Sequence, residues 1–134
     1  MECVVLTQKE KDKLVAHEIE QQPNESCAML LGKKVDNDCN VKDVFLTENI
    51  DNSQTNFTIS PKELLQGYQL AEKMQLELVG VFHSHPNSDA IPSSTDKKFM
   101  QNNPVPWIIF SGLNNNLKAY LLDSNIIEIQ IKID

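Results

Sequence analysis

The chain has no arginine: all twelve basic residues are lysine, set against nineteen acidic ones, for a formal net charge of -7. Without a guanidinium nothing can grip phosphate or a guanine edge bidentately, so nucleic acid is not expected as a partner. An acidic surface instead favours partners with a basic face, through salt-sensitive steering. Cysteine is scarce and odd in number. Cys3, Cys27 and Cys39 form no C-x-x-C pair, which argues against a disulfide framework or a thiolate zinc knuckle, and they read as reduced, with Cys27 buried. Long apolar runs are also missing. No segment approaches the roughly 18 apolar residues of a membrane span, and the apolar run in MECVVLTQKEKDK is too short for a signal peptide. The expectation is a cytoplasmic protein with no membrane partner. Only four glycines and six prolines, no internal repeat and no low-complexity stretch leave an ordinary globular composition, 40% hydrophobic and 23% charged. Residues 1–134 are expected to form a single domain.

What is present reads as helices interspersed with strands. ECVVL is a short strand, and Thr7 then opens a helix in which Leu14, Val15 and Ile19 recur at helical spacing, with Glu10 at the capping-box position and an end before Pro23. Cys27 to Leu31, closed by Gly32, reads as a buried strand, with VKDVFLTEN as its hairpin partner across Asp36 and Asn37. NFTIS reads as another strand. Ser60 caps and Pro61 starts a second helix that places Leu64, Leu65, Tyr68 and Ala71 on one face. LELVGVFHSH is nearly continuous in apolar residues, as a central strand is. A short helix over DKKFMQ follows, then three strands in WIIFSG, LKAYLLD and IIEIQIKI. The expected fold class is α/β or α+β, with a mostly antiparallel sheet.

The stretch GVFHSHPNSDAIPSSTD, residues 80–96, holds two of the three histidines. On a strand, His83 and His85 project to the same side and can share one metal ion. Pro86 ends the strand, and Asp96 lies near the start of the next helix, where its carboxylate could be a third ligand. Two histidines and one carboxylate leave a fourth tetrahedral position for water, as catalytic rather than structural zinc requires. Histidines also sit at strand ends for structural reasons, so spacing alone leaves both readings open.

Zinc hydrolysis needs a base to take a proton from water and pass it to the leaving amine. Glu10, Glu18, Glu20 and Glu72 fall on polar helix faces and read as solvated. Glu25 stands at the mouth of the buried strand SCAMLLG, where a carboxylate can be held beside a metal on a neighbouring strand, or where it is only a turn residue. His17, in the first helix, reads as a solvated or packing residue.

The segment HSHPNSDAIPSSTD resembles the JAMM motif, H-x-H-P, six residues, then S-x-x-D, of the MPN-domain zinc metalloproteases: His83, His85, Pro86, Ser93 and Asp96 fall on every fixed position. PNESCAMLLG is similar to that family's P-x-E-x-C-G-x-L-x-G segment, with Ala28 where glycine is frequent, and NIDNSQTNFTISPKELL resembles the segment between them. The resemblance runs from about residue 20 to residue 112 and is to the compact prokaryotic form. It implies an MPN domain whose curved sheet is flanked by helices and is similar to the cytidine-deaminase fold. It also implies one zinc per chain held by His83, His85 and Asp96, with Glu25 as general acid/base and Ser93 donating to the oxyanion. The implied activity is hydrolysis of the bond after the C-terminal glycine of a ubiquitin-like protein, frequently an isopeptide bond, with the substrate tail extended across the site.

Two rival readings accompany it. Some small bacterial relatives remove an amino acid from a ubiquitin-fold sulfur-carrier protein, and some MPN domains are non-catalytic scaffolds, although these usually lack a ligand. A zinc deaminase would need H-x-E and P-C-x-x-C, which are absent. Nothing in the sequence gives the oligomeric state.

Overall fold

A computed structural model describes residues 3–134; Glu2 of the expected first strand lies outside the described residues. In chain order the elements are β1 (Cys3–Leu6), α1 (Gln8–Gln21), β2 (Cys27–Val35), β3 (Asp38–Thr47), α2 (Pro61–Lys73), β4 (Glu77–His85), α3 (Ser94–Asn102), β5 (Trp107–Ser111), β6 (Leu117–Asp123) and β7 (Asn125–Ile133).

The strands close into a barrel in the order β1-β3-β2-β4-β5-β6-β7, which corrects the expectation of a mostly antiparallel, curved sheet. β1 lies parallel to both β3 and β7, and β4 is parallel to β5, while the other four pairings are antiparallel. The physical reason is connectivity. Helix α3 separates β4 from β5, and a helical crossover there returns the chain in its original direction, which a tight hairpin cannot do; β1 meets β3 and β7 as strands to which no hairpin joins it.

Local chemistry sets the helix starts. Thr7 accepts from the Glu10 N–H while the Glu10 carboxylate accepts from the Thr7 N–H, closing a capping box. Ser60 caps α2 with Pro61 at its first position. Inside the barrel, Val4, Leu6, Leu30, Phe82, Ile108 and Ala119 pack with no exposure, and Leu14 of α1 joins them. Outside it, Met29, Leu31 and Ala71 pack under α2, and Cys27, Phe57, Met100, Trp107 and Ile109 pack beneath α3. Strands β2 and β4 are thus covered on both faces, which is why they read as apolar runs rather than alternations.

Two expectations, a strand at NFTIS and a solvated Glu18, fail here. NFTIS forms no strand: only an isolated bridge joins Asn49 to Ile59, because side chains of the loop take the hydrogen bonds a ladder would have used. The apolar face of α2 is largely uncovered, with Leu65 and Tyr68 58% and 49% exposed; only Gly67 and Ala71 are buried on this helix. Glu18 is not solvated but buried at 2% exposure, its carboxylate accepting from the Gln22 side chain and lying under Gly112. The C-terminal turn of α1 packs inward at that point, so the burial follows from tertiary placement.

Candidate metal centre

The centre is assembled where β2 begins and β4 ends. The two strands are antiparallel, with Cys27 opposite His83, and the pairing continues past the ladder: the Ser84 N–H donates to the Ser26 carbonyl, and the Ser26 N–H donates to the Ser84 hydroxyl oxygen. Glu25 is thereby brought beside His85.

A β-bulge decides which way the histidines face. Leu30 pairs with Gly80 and Leu31 with Leu78, so Val79 has no partner. The extra residue shifts the alternation: Val79 and Phe82 both point into the barrel, while Val81 joins the outer layer that contains Cys27 and Trp107. His83 and His85, in step with Val81, therefore leave the barrel on one side.

Asp96 reaches them from α3, whose first turn is a second capping box. Ser93 Oγ accepts from the Asp96 N–H, and Asp96 Oδ2 accepts from the Ser93 N–H. The three donor atoms converge: His83 Nε2 to His85 Nε2 is 3.1 Å, and Asp96 Oδ2 lies 3.0 and 3.1 Å from them. Ligands held about 2.0–2.2 Å from one tetrahedral zinc are separated by about this much. The Glu25 carboxylate is also close: its ligand atom and those of His83 and His85 all lie within 4.8 Å of one another.

Protonation states argue for a cation here. His85 Nδ1 is 2.8 Å from the Asp89 carbonyl, an acceptor only, so Nδ1 carries a proton; in the neutral ring the Nε2 lone pair is then left to face the Asp96 carboxylate, and a hydrogen bond between them needs a second proton on the ring. A neutral ring held through Nδ1 is the arrangement by which a metal-ligating histidine is oriented. A lone pair, a carboxylate oxygen and a second imidazole nitrogen within 3.1 Å repel one another unless a proton or a metal stands between them.

Burial dominates the electrostatics. It pushes the Glu25 carboxyl up to about 8, His85 drawing it down and Asp96 adding to the rise. It lowers the His83 imidazole, against the opposing pull of Asp96. For His85 burial again works downward, but the bonds to Asp96 and to the Asp89 carbonyl outweigh it and the net shift is upward. Burial would raise Asp96, but its hydrogen bonds from both histidines and from the Ser93 N–H hold it well below the usual carboxylate range. Glu25 Oε1 and His83 Nδ1 are buried without a hydrogen-bond partner, a costly state for a polar atom in a structural role.

The five residues singled out by sequence, Glu25, His83, His85, Ser93 and Asp96, thus meet in one corner. Two aromatics that sequence reasoning missed complete its walls. Phe57 stacks on the His83 ring at a centroid distance of 4.7 Å, and Trp107 meets the same ring edge-on at 5.7 Å. Their only signal was apolar character in segments read as strands. His17, by contrast, is buried away from this cluster, its Nε2 donating to the Cys27 and Thr47 carbonyls, a packing role.

Known proteins resemble this chain over most of its length. Residues 7–123 match the family described as prokaryotic homologs of the JAB domain. The chain is 35% identical to a desampylase of Pyrococcus furiosus over 82% of its own length and 76% of that protein's. It is 30% identical to a probable TtuB-protein conjugate cleaving protease of Thermus thermophilus, covering 80% of this chain and 68% of that one. A solution structure of a protein from Desulfitobacterium hafniense superposes with a TM-score of 0.89 at 28% identity, over 100% of this chain and 93% of that one. The chain belongs to the prokaryotic JAB-domain family.

Proposed function

We propose that the protein is a zinc-dependent isopeptidase that hydrolyses the bond after the C-terminal glycine of a ubiquitin-like protein, releasing it from conjugates. The observation that carries this reading is the orphaned, buried Glu25 Oε1 beside three convergent metal-ligand atoms. It is supported by the desampylase and the conjugate-cleaving protease among the relatives.

His83 Nε2, His85 Nε2 and Asp96 Oδ2 would hold one zinc ion per chain. When bound, that ion supplies Lewis acidity, lowering the pKa of a water molecule towards ~7. Glu25 takes the proton of the attacking water on its carboxylate and returns it to the leaving amine; a carboxyl lifted by burial is suited to holding that proton near neutral pH. The Ser93 hydroxyl oxygen accepts from the Asp96 N–H, which leaves its O–H free to donate to the oxyanion of the tetrahedral intermediate. One donor in that role typically contributes about 2.7–4 kcal/mol to lowering the barrier.

An apolar groove between α2 and α3, lined by Ile59, Leu64, Tyr68 and Phe99, has among its walls Phe57 and Trp107, the rings that pack on His83. We assign this groove to the ubiquitin-like part of the substrate, which accounts for the uncovered face of α2. Residues 1–134 are read as one catalytic domain acting in the cytoplasm; among the described residues no helix is long and apolar enough to cross a membrane.

Incubation with ubiquitin-like conjugates and sulfur-carrier adducts, with and without a zinc chelator, followed by intact-mass analysis, tests the proposal. Chelator-sensitive release of an intact modifier ending in glycine is expected. Cleavage confined to sulfur-carrier adducts would replace the substrate assignment, and no cleavage of any substrate by zinc-loaded protein would leave a scaffold.

A further inference from the structure

The loop between β3 and α2 is organised by a single side chain outside the metal centre. Asn49 is 3% exposed, and both ends of its amide are engaged. Nδ2 donates to the Glu25 carbonyl at 3.1 Å, to the Asn56 carbonyl at 2.9 Å and, more distantly, to the Ser53 carbonyl at 3.4 Å. Oδ1 accepts from the Asp51 N–H and the Thr58 N–H, each at 3.1 Å.

These partners are not a random set. Asn56 and Thr58 flank Phe57, so the amide grips the backbone on both sides of the residue whose ring stacks on His83. The third carbonyl belongs to Glu25 itself, whose N–H donates in turn to the Ser53 carbonyl at 2.9 Å. A loop without a strand ladder depends on such side-chain bonds for its shape. Here one amide spans the two groups that must be placed against the metal ligands: the backbone of the carboxylate and the aromatic cover of an imidazole. No other residue type offers a planar donor and acceptor pair at this reach except glutamine, which is one methylene too long.

We propose that Asn49 is a positioning residue that couples the placement of Glu25 to that of Phe57, and so sets the distance between the proton-transferring carboxylate and the metal-ligating histidines. The inference rests on the hydrolase reading for its kinetic consequence but not for its structural one. Because the hydrogen bonds of Asn49 go to backbone groups and to none of the side chains of His83, His85 and Asp96, its loss lowers kcat through misplacement while leaving the ligand set intact; displacements of about 1 Å are enough to cost on the order of 100-fold.

The test compares full-length wild type with Asn49→Ala and Asn49→Asp. Alanine removes both halves of the grip. Aspartate is isosteric and keeps the acceptor for the Asp51 and Thr58 N–H groups, but faces the Glu25, Asn56 and Ser53 carbonyls without a donor. Both variants are expected to bind one zinc per chain and to lose about 10- to 100-fold in kcat with KM within about twofold, the signature of an interaction felt in the transition state. Trp107 is the only tryptophan and sits 5.9 Å from Phe57, so its emission reports the aromatic half independently. The emission should shift to the red in Asn49→Ala and by less in Asn49→Asp, which keeps the Thr58 side of the grip and loses the Asn56 side. Unchanged kcat in both variants, or a loss that follows zinc release, would overturn the proposal. If Asn49→Ala does not fold, Asn49→Asp decides by the same kinetics. If wild type cleaves no conjugate, the hydrolase reading fails separately, and an unshifted Trp107 emission in Asn49→Ala then overturns the positioning role.

Discussion

Seven residues apart, the chain buries two glutamates to the same depth and treats them differently. Glu18, at the end of α1, is 2% exposed, and its carboxylate is partnered by Gln22 beneath Gly112. Glu25, at the mouth of β2, is 3% exposed, has an unpartnered Oε1, and is held with its carboxyl pushed up to about 8. The histidines repeat the contrast: the Nε2 of His17 donates to two carbonyls, whereas His83 Nδ1 has no partner and its Nε2 faces the metal corner. Burial alone therefore does not mark a functional group here. Burial without satisfaction singles out Glu25, because an unpaired buried carboxylate oxygen carries a cost that a bound ion or substrate can offset.

The largest test of this contrast is the pair Glu25→Gln and Glu18→Gln. The first should lower conjugate cleavage by about 10²–10⁴-fold, the usual contribution of a positioned acid/base, with zinc retained. The second should leave cleavage within about twofold and cost about 0.5–1.5 kcal/mol of stability through its altered hydrogen bonds. Rates and chemical denaturation on both variants settle it, and equal loss of activity would erase the distinction.

A middle-sized effect is expected at Gly112, which joins the two regions. Its N–H donates to the His85 carbonyl at 2.9 Å, and a Cβ there would meet the Pro86 carbonyl oxygen at 2.8 Å and Glu18 Oε1 at 2.7 Å. The side-chain contact can give way, but the backbone one cannot without moving the residue that follows His85. Gly112→Ala should destabilise the fold by about 1–3 kcal/mol and weaken zinc binding, read by denaturation and by competition with a chelator. Tight zinc binding in a destabilised variant would confine the role of Gly112 to Glu18.

The last test is a pH slope in the metal-free protein. With metal stripped, Glu25 ionises near 4.5 in the unfolded chain and near 8 in the folded one. The folded state therefore holds a proton that the unfolded state has released, so the contribution of this group is fully present below about 4.5 and fades as pH rises to about 8. Stability of metal-free wild type should fall across that window, and the fall should be shallower in Glu25→Gln. The same substitution that stops cleavage should thus raise the melting temperature of the metal-free protein at pH 8, as expected where function is kept at the expense of stability. Parallel pH profiles for the two proteins would show that Glu25 pays no such penalty.

Much of the centre was legible because it is local. His83 and His85 are two residues apart on a strand, and Asp96 is the third residue of a helix capped by Ser93, so period-two alternation and a capping box place three ligands without long-range information. Helix starts at Thr7 and Ser60 were legible for the same reason. Barrel closure was not, since the parallel pairing of β1 with β7 joins the two ends of the chain and leaves no local mark. The burial of Glu18 was misread, and the exposure of Leu65 and Tyr68 went unread, because helical periodicity shows which residues share a face, not what that face meets. The strand expected at NFTIS failed because Asn49 captured the loop's hydrogen bonds, a choice between local ladders and side-chain bonds that composition does not reveal.

The sequence by itself determined the donor set: two imidazoles and a carboxylate at spacings that secondary structure alone brings to one side, with Glu25 on a segment far away along the chain. Tertiary structure decided the rest. The bulge at Val79 turned the histidines out of the barrel, the pairing of β2 with β4 carried Glu25 across to them, and Phe57 and Trp107 closed over His83. Ligand identity is a property of residues a few positions apart, whereas the orphaned carboxylate that distinguishes a hydrolytic centre from a metal store exists only once distant strands have excluded water around it.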